Sequence, residues 1–379
     1  MDLESIRKEI DRIDDNIKQL FEERMEYALK VANHKKEHNL PVLNMARERE
    51  IINRVTKDQP DNMAVYTKIL FNTLMDLSRS YQNRTLYQSS PLLDAIKASI
   101  KNTPPLLPSS ATIACQGVEG SYSQLACDRL FSRPDIMYFN SFEGVFNAVD
   151  KRLCRYGILP IENSLHGSVT DVYDLMKQYK VYISKSIKLK INHVLLAKGD
   201  AKLTDIKEIY SHEQAIAQCS NFLKSLPNVK VIQCENTAAA ALMVSKSQRN
   251  DIAAIAQQTC AELYGLTVLN EHIQNSDNNY TRFICISKDL EIYPGANKIS
   301  LMFTLPHRPG SLYSIISKFS ALGINLTKLE SRPISGKDFE FMFYCDMDAS
   351  VYSPEILSLL CEFESGSDKI VFLGSYSEI

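Results

Sequence analysis

The sequence predicts a multidomain chain with an all-α N-terminal part, a central α/β part and a small α+β part at the C-terminus. A length of 379 residues exceeds what one ordinary hydrophobic core serves, which indicates two or three domains. Apolar residues recur every three or four positions in the first helix, whereas short apolar runs alternate with helical stretches after Ala111. After Asn297 the order is strand, helix, strand, strand, helix, strand, which is typical of a ferredoxin-like fold.

The composition excludes several classes of protein. Hydrophobic residues make up 45% and charged residues 23%, as in ordinary globular proteins. A net charge of −2 gives no electrostatic match to nucleic acid or to an anionic membrane. The nine cysteines show no C-x-x-C spacing, so neither a zinc site nor a disulfide framework is indicated. The charged N-terminus lacks an apolar signal core and no apolar run is long enough to span a membrane, so we expect a cytoplasmic protein.

The first predicted helix covers residues 3 to about 37 and carries an apolar stripe that ends in two cations. Continued at the same spacing, the stripe reaches Arg24 and Lys35, which are eleven residues apart and project from nearly the same face. Burying an unpaired cation costs several kcal/mol, so we interpret the pair as an anion site. The alternative is an exposed helix end from which both side chains reach into water.

Two further helices are predicted before a linker. One begins near Asn44 and ends near Lys57, and the other runs from Met63 to about residue 100 with a possible interruption at 89–91. On the latter, Ser78 and Gln82 lie one turn apart on one face. Three prolines mark a linker after residue 100, and we place the N-terminal domain at 1–90 and the linker at 91–110. Because so few helices cannot bury the first one, we predict a dimer in which two long helices pair.

Residues 1–90 resemble the all-helical chorismate mutases fused to prephenate dehydratase, which form intertwined helical dimers. The resemblance rests on the spacing of polar residues at the family's active-site positions, namely Arg7, Arg24, Lys35, Arg47, Glu48, Ser78 and Gln82. Asn44 is a departure, because relatives often carry Asp there.

The resemblance implies a site that binds the chorismate dianion and rearranges it to prephenate by a pericyclic shift. Arg24 and Arg7 would hold the carboxylates, with Arg7 supplied by the partner subunit. Lys35 and Gln82 would donate hydrogen bonds to the ether oxygen. Glu48 would accept the ring hydroxyl, with Arg47, Ser78 and Asn44 in support.

Polar residues crowd several strand-to-helix junctions of the central part, from residue 111 to 288. They occur at 116–123, 161–169, 210–215 and 235–240, and again at 278–283, where Asn-Asn-Tyr-Thr-Arg-Phe precedes an apolar strand. Ligands of open α/β sheets collect at the carboxyl ends of strands. A single junction is more often a helix cap, but their number here predicts a small anionic ligand.

Residues 111–288 resemble prephenate dehydratase through the motifs GVEGSYS, PIENSLHGSV, SHEQA, NTAAA, AAIA and NNYTRF. The family has two α/β lobes around a cleft, similar to periplasmic binding proteins. Val118, Asn236 and Ala256-Gln257 depart from its usual pattern. The resemblance implies that Thr281 donates a hydrogen bond or proton to the departing hydroxyl. The implied substrate contacts are Glu162, Asn163, Ser164, Ser211, Gln214, Thr237, Thr281, Arg282 and Phe283.

Two residues of this part keep two interpretations each. Arg282 either binds the anionic substrate or forms a structural ion pair. His212 either titrates during the reaction or caps a helix.

Residues 297–379 resemble the ACT regulatory module through Pro-Gly-Ser-Leu-Tyr at 309–313 and Leu-Glu-Ser-Arg-Pro at 329–333. The resemblance implies that L-phenylalanine binds between two such modules. The implied effector contacts are Pro309, Gly310, Ser311, Leu312, Glu330, Ser331 and Arg332. The alternative is that Glu330 and Arg332 form a surface ion pair.

Together these observations predict a bifunctional enzyme of phenylalanine biosynthesis, both isomerase and lyase, that needs no metal or organic cofactor. It would convert chorismate to prephenate, and prephenate to phenylpyruvate with loss of CO2 and water, under feedback inhibition by L-phenylalanine. Two rivals remain: a non-catalytic amino-acid sensor with a binding-protein-like domain, and a dehydratase that prefers arogenate. The sequence does not decide whether the protein is a dimer or a tetramer, or whether prephenate is transferred directly between the two sites.

Overall fold

The computed structural model of the chain describes residues 2–38, 40–86, 90–305, 307, 309–334, 341–365 and 370–379. These form two compact units. One comprises Met1–Lys97 with Leu301–Val371, and the other Ala98–Ser300 with Phe372–Ile379. The first unit thus joins the N-terminal helices to most of the C-terminal segment, which the sequence treats as separate domains. No helix in the described ranges is long and apolar enough to cross a lipid bilayer.

The N-terminal part is helical, as predicted. Its helices are α1 (Leu3–Glu37), α2 (Met45–Thr56), α3 (Asp61–Leu86) and α4 (Pro91–Asn102). Side chains cap the first two, because Asp2 accepts the N–H of Ser5 at 2.8 Å and Asn44 accepts the N–H of Arg47 at 3.0 Å. The predicted third helix is two helices, and part of the predicted interruption at 89–91 lies outside the described residues.

Helix α4 corrects the predicted linker. The stretch 91–110 is helical over its first half, and only the residues after Asn102 lack regular structure before the next strand. Pro91 stands at the first helical position, where its missing N–H costs nothing. Leu93 and Ile96 are buried, so packing stabilises this helix.

The apolar stripe of α1 is largely exposed to solvent in the single chain. Exposed fractions run from 42% at Ile6 to 64% at Leu20, whereas the buried residues of the helix are Ala28 and Ala32. An apolar stripe of this length normally packs against another element.

The second unit contains two sheets with helices on both faces, as the alternating pattern predicted. In the first sheet the strand order is β2-β1-β3-β11-β5, with β4 paired to β3, and in the second it is β10-β6-β9-β7-β8. The strands are β1 (Ser110–Gln116), β2 (Arg133–Phe139), β3 (Tyr156–Asn163), β4 (Gly167–Ser168), β5 (Tyr182–Lys190), β6 (Val194–Lys198), β7 (Glu208–Ser211), β8 (Lys230–Gln233), β9 (Ile252–Ala256), β10 (Leu266–Asn270) and β11 (Tyr280–Ser287). The helices are α5 (Tyr122–Leu130), α6 (Phe142–Asp150), α7 (Thr170–Gln178), α8 (Glu213–Gln218), α9 (Ser220–Lys224), α10 (Thr237–Lys246) and α11 (Thr259–Tyr264).

The chain crosses between these two sheets twice, once from β5 to β6 and once back from β10 to β11. The crossings lie side by side, because the N–H of Ile191 donates to the carbonyl of Asn279 at 2.8 Å. Each sheet has its own apolar core, with Tyr156 and Phe283 in the first and Leu196 and Ala254 in the second. The unit therefore has two lobes joined at a pair of adjacent crossings.

The C-terminal segment has the predicted order of elements. They are β12 (Lys298–Thr304), α12 (Ser311–Ala321), β13 (Asn325–Pro333), β14 (Phe341–Asp348), α13 (Pro354–Ser365) and β15 (Ile370–Tyr376), and the sheet order is β13-β14-β12-β15.

Within the first unit, α13 packs against α3 through a buried carboxylate. The side chain of Glu362 is 2% exposed, accepts a hydrogen bond from Ser80 Oγ at 2.8 Å and pairs with Lys318 at 2.7 Å. The hydrogen bond from Ser80 thus joins the N-terminal helices to the C-terminal segment, and the ion pair with Lys318 fixes the Glu362 carboxylate that accepts it.

The last residues of the chain extend the first sheet of the second unit. The N–H of Ser186 in β5 donates to Ser377 O at 3.1 Å, and the N–H of Ile379 donates to Ser186 O at 3.0 Å. Just before them, Gly374 has φ +146° and lies directly against the backbone of Ile183. An L side chain rarely adopts that φ, and a Cβ there would overlap the carbonyl oxygen of Ile183.

We expect Gly374→Ala to destabilise the protein by roughly 2–5 kcal/mol, since a strained backbone and an overpacked contact act together. Gly199→Ala is the matched control, because Gly199 has φ +52° and open space where its Cβ would lie. The control should cost only about 1 kcal/mol. Thermal melting of both variants measures the difference, and equal melting temperatures would contradict the close approach at Gly374.

Candidate functional site

A cleft of about 500 Å³ lies between the two lobes of the second unit. Strands of the first sheet, helices and loops of the second lobe, and the crossing after β5 all contribute residues to it, among them Pro160, Asn163, His193, Gln218 and Thr281. It is therefore placed where open α/β sheets bind ligands, outside the ends of strands.

Several helices begin at this cleft, which makes it suitable for an anion. Ser121 at the start of α5, Thr170 at the start of α7 and Thr237 at the start of α10 all line it. No side chain caps α7, whose preceding residue is Val169. Backbone N–H groups at helix N-termini carry partial positive charge and bind carboxylates or phosphates.

Charged side chains contribute little attraction for an anion here. Among the described residues that line the cleft there is no lysine or arginine, and the acidic ones are Asp171 and Glu235. An anionic ligand must therefore be bound by helix N-termini, hydroxyls and amides.

Thr281 and Asn163 face each other across the paired strands β11 and β3. Asn163 Oδ1 accepts the backbone N–H groups of Leu165 and His166, both at 3.0 Å, which fixes the orientation of the amide. Asn163 Nδ2 then donates to Thr281 Oγ1 at 2.9 Å. Because the Thr281 oxygen accepts this hydrogen bond, the hydroxyl hydrogen is left for an acceptor in the cleft.

A chain of amides continues from Asn163 into the other lobe. Asn163 Nδ2 also donates to Asn279 Oδ1 at 2.8 Å, and Asn279 Nδ2 donates to Gln218 Oε1 at 2.9 Å. The same Gln218 oxygen lies 2.9 Å from His193 Nε2, and Gln218 Nε2 lies 3.1 Å from His166 Nδ1. Asn279 has no exposed surface, so this network is largely shielded from water.

The histidines His193 and His212 are held in their neutral forms. Burial lowers the pKa of His193 to about 4, against a smaller opposing effect of its hydrogen bond with Gln218. Burial also lowers the pKa of His212. The Nδ1 atom of His212 accepts the N–H of Gln214 at 3.3 Å, which is the capping geometry that the sequence left as one of two interpretations.

The predicted substrate contacts of this part separate into two groups. Those that line the cleft are Asn163, Gln214, Thr237, Thr281 and Phe283, and those that do not are Glu162, Ser164, Ser211 and Arg282.

The residues of the second group make structural hydrogen bonds and ion pairs around the cleft. Ser211 is fully buried, and its hydroxyl donates to Ile255 O at 2.7 Å. Arg282 lies 3.6 Å from Glu162, the ion pair that was the alternative to substrate binding. Ser164 Oγ accepts the N–H of Tyr280 at 2.9 Å and so fixes the start of β11.

Sequence reasoning missed Gln218 and His193 as cleft residues, and it noted Asn279 without a role. Gln218 lies one turn after Gln214 on α8, so its spacing could have indicated a shared face. His193 follows β5 with no neighbouring motif, and the sequence carried no signal for it.

The N-terminal helices bring together the predicted cations and their neighbours. Arg24 donates to Leu74 O at 3.0 Å and to Ser78 Oγ, while Lys35 Nζ donates to Val42 O at 2.5 Å. Burial lowers the pKa of both Arg24 and Lys35, and the nearby Arg79 lowers that of Lys35 further. A partly buried cation is stabilised by a bound anion, so each of the two is a candidate anion contact.

Arg79 is a site residue that the sequence reasoning missed. It forms ion pairs with Glu48 of α2 and with Asp76 of α3, and these pairs hold the Glu48 side chain against α3. Gln82 is buried nearby on α3, and its Oε1 has no hydrogen-bond partner among the described residues. A buried amide oxygen without a partner is uncommon in folded proteins.

The remaining predicted residues of this site make no contact with Arg24 or Lys35 among the hydrogen bonds and ion pairs of the described chain. Arg7 is exposed and stands seventeen residues before Arg24 on the same helix, about 25 Å away at the usual helical rise. Arg47 pairs with Glu50 at 2.8 Å on the surface of α2. Asn44 uses its side-chain oxygen to cap that helix.

In the C-terminal segment, the predicted effector residues occupy a turn and a strand. Pro309 and Gly310 are exposed, and Gly310 takes a left-handed φ of +86° before Ser311 and Leu312 begin α12. Ser311 Oγ is buried and has no hydrogen-bond partner in the described parts of the chain.

The strand residues lie on β13, at the edge of the sheet formed by the described strands. There Glu330 lies 3.5 Å from Lys328, while Ser331 and Arg332 are opposite Phe343 and Met342 of β14.

Two protein families match the chain. Residues 113–291 match prephenate dehydratase, and residues 6–83 match chorismate mutase type II. The two matches fall on the cleft of the second unit and on the N-terminal helices, which are the two parts that hold the sites described above.

Individual proteins are similar over longer stretches. The bifunctional chorismate mutase/prephenate dehydratase of Escherichia coli (strain K12) is 32% identical over 382 residues, covering 98% of this chain and 95% of that protein. The arogenate dehydratase/prephenate dehydratase 2, chloroplastic, of Arabidopsis thaliana is 34% identical over 311 residues, covering 79% and 81% respectively. A solved prephenate dehydratase in complex with L-Phe from Arthrobacter aurescens has a TM-score of 0.64 at 29% identity, covering 70% of this chain and 89% of that one.

Proposed function

The chain belongs to the family of bifunctional chorismate mutase/prephenate dehydratases, and on that premise we propose where each of its reactions takes place. The enzyme rearranges chorismate to prephenate and converts prephenate to phenylpyruvate in the phenylalanine pathway. We assign the first reaction to residues 1–90, the second to residues 111–288 and regulation to an ACT module at residues 297–379.

The mutase reaction needs no proton transfer, so its site has to hold a compressed dianion and stabilise charge on the ether oxygen. Arg24 and Lys35 supply the positive charge that both tasks require, as partly buried cations on one face of α1. Gln82 completes the site, because its amide donates to the ether oxygen while remaining neutral. Glu48, held by Arg79, accepts the ring hydroxyl.

A homodimer explains two features of α1 that the single chain leaves unmatched. Its apolar stripe is exposed from Leu3 to Leu20, and Arg7 lies about 25 Å from Arg24 along the helix. Antiparallel pairing of two α1 helices covers both stripes and brings Arg7 of each subunit near Arg24 of the other. Arg7 then binds a chorismate carboxylate across the subunit interface.

The dehydratase reaction needs a hydrogen donor for the departing hydroxyl and a way to bind two carboxylates. The observation that carries our assignment is the hydrogen bond from Asn163 to Thr281 Oγ1, because it leaves the Thr281 hydrogen for the substrate. The starts of α5, α7 and α10 supply N–H groups for the carboxylates in a cleft whose described lining has no cationic side chain. Phe283 and Pro160 offer apolar surface to the ring.

L-Phenylalanine binds, in our proposal, to the ACT module between two copies of the chain. The turn at Gly310 presents backbone N–H groups at the start of α12 for the effector carboxylate. Glu330 on the edge strand supplies a carboxylate for its ammonium. The related dehydratase from Arthrobacter aurescens, which forms a complex with L-Phe, supports an amino-acid effector in this family.

Separate sites predict separable activities. Arg24→Ala or Lys35→Ala should abolish chorismate consumption while prephenate turnover stays near wild type, because the cleft lies in another unit. Lys68→Ala, an exposed cation on α3, is the control and should change neither rate. Loss of both activities from a still-folded Arg24 or Lys35 variant would refute the assignment.

Thr281→Ala should lower kcat for prephenate by roughly a hundredfold or more, the usual effect of losing a positioned proton donor. Thr281→Ser keeps the hydroxyl and should retain part of the rate. Steady-state kinetics with prephenate measures both, with thermal melting as a check of folding. An unchanged rate in Thr281→Ala would assign the donor to another group.

Feedback inhibition provides the third test. L-Phenylalanine should inhibit dehydration more than the mutase reaction, through a coupling of about 1–3 kcal/mol. Glu330→Ala or removal of residues 297–379 should relieve the inhibition. The point substitution is the cleaner test, because truncation also removes the C-terminal residues that pair with β5. Calorimetry that detects no L-phenylalanine binding to the intact protein would overturn the proposal.

A further inference from the structure

His193 has a ring nitrogen with no assigned role in the reaction. Its side chain lines the cleft at the crossing between the lobes and is only 4% exposed. Its Nε2 atom is engaged with Gln218 at 2.9 Å, whereas Nδ1 has no hydrogen-bond partner among the described residues. A buried polar atom without a partner is costly in free energy, and such an atom at a ligand site calls for an explanation.

The surrounding hydrogen bonds decide which nitrogen of His193 carries the hydrogen. Backbone N–H groups fix the Asn163 amide, since only its oxygen can accept them. Asn163 Nδ2 therefore faces Asn279 Oδ1, and Asn279 Nδ2 in turn faces Gln218 Oε1. Because this oxygen can only accept, His193 Nε2 carries the hydrogen and Nδ1 presents a lone pair.

We propose that His193 Nδ1 accepts a hydrogen bond from the ring hydroxyl of prephenate. Prephenate carries two carboxylates, one ketone and one hydroxyl, so the hydroxyl is its only hydrogen-bond donor. A nitrogen that can only accept, on a residue that lines the cleft, therefore has one group of the substrate to pair with. The inference rests on the proposed use of this cleft for prephenate and deepens it by naming the group that orients the leaving hydroxyl.

This contact defines how the leaving group meets Thr281. When the substrate hydroxyl donates its hydrogen bond to His193 Nδ1, one lone pair of the hydroxyl oxygen points toward the hydrogen of Thr281. When the ring carboxylate leaves as CO2, the electrons of its C–C bond enter the ring and the C–O electron pair leaves with oxygen. That oxygen takes the proton from Thr281, which solvent replaces, and departs as water. His193 neither gains nor loses a proton.

The surroundings of His193 suit a fixed, neutral acceptor. The buried imidazole stays uncharged at neutral pH, since its pKa is about 4. Tyr122 meets the ring edge-on, with centroids 6.1 Å apart, and its own hydroxyl donates to Asn192 O at 2.6 Å. The hydrogen bond to Gln218 and the contact with Tyr122 therefore limit rotation of the imidazole.

Two substitutions separate the role of Nδ1 from that of Nε2. His193→Asn keeps an acceptor near the position of Nδ1 and loses the bond to Gln218, whereas His193→Gln keeps a donor near Nε2 and loses the acceptor. We expect His193→Gln to lower kcat/KM for prephenate about tenfold, as for one lost hydrogen bond, and His193→Asn to retain most of it. Inhibition by phenylpyruvate, which lacks the hydroxyl, should be unchanged in His193→Gln.

Three outcomes would overturn this role: wild-type kinetics in His193→Gln, a larger loss in His193→Asn than in His193→Gln, or equal weakening of prephenate and phenylpyruvate binding. Thermal melting and circular dichroism report whether each variant folds. If both variants unfold, nitrogen NMR of imidazole-labelled wild-type protein decides, because Nδ1 should respond to prephenate and not to phenylpyruvate. An unaffected Thr281→Ala beside an impaired His193→Gln would refute the proposed donor and leave His193 in place.

Discussion

The cleft of this enzyme depends on one buried amide, the side chain of Asn279. It lies where the chain returns from the second lobe to the first, without any exposed surface, and it bridges Asn163 and Gln218. Its backbone carbonyl also holds the other crossing at Ile191. The orientations of Thr281 and His193 both follow from this bridge. An amide suits the position because it donates on one side and accepts on the other without carrying charge.

The two active sites bind dianions by different physical means, and the difference follows from the reactions. Chorismate keeps both carboxylates through its rearrangement, so in our assignment the partly buried Arg24 stays paired with a carboxylate throughout, while Lys35 donates to the ether oxygen. Prephenate must lose the charge of its ring carboxylate as CO2 departs. A cation paired to that carboxylate would stabilise the substrate more than the transition state and slow the reaction. The lack of lysine and arginine in the described cleft lining is consistent with that requirement.

Local sequence signals predicted the elements well, whereas long-range hydrogen bonds could not be predicted. The periodicity of α1, the cap at Asn44 and the order of the C-terminal elements are properties of neighbouring residues. Thr281 was singled out through the resemblance of the NNYTRF motif to prephenate dehydratase. The interlobe bonds of Gln218 and His193 join residues far apart in the chain, and no spacing rule encodes them. Arg79 was missed for the same reason, since its partner Glu48 lies on another helix.

The buried carboxylate of Glu362 restricts how the C-terminal module can be exchanged between enzymes. Its partners come from two places, Ser80 on α3 and Lys318 on α12 within the module itself. A module grafted onto an unrelated enzyme would keep Lys318 but lose Ser80 and the protein surface that covers Glu362. Fusion of such a module therefore has to be accompanied by matching changes in the helix that receives it. Helix α3 and the C-terminal module of this chain are therefore expected to evolve together. A substitution at Ser80 on α3 constrains which substitutions are allowed at Glu362 in the module, and the reverse also holds.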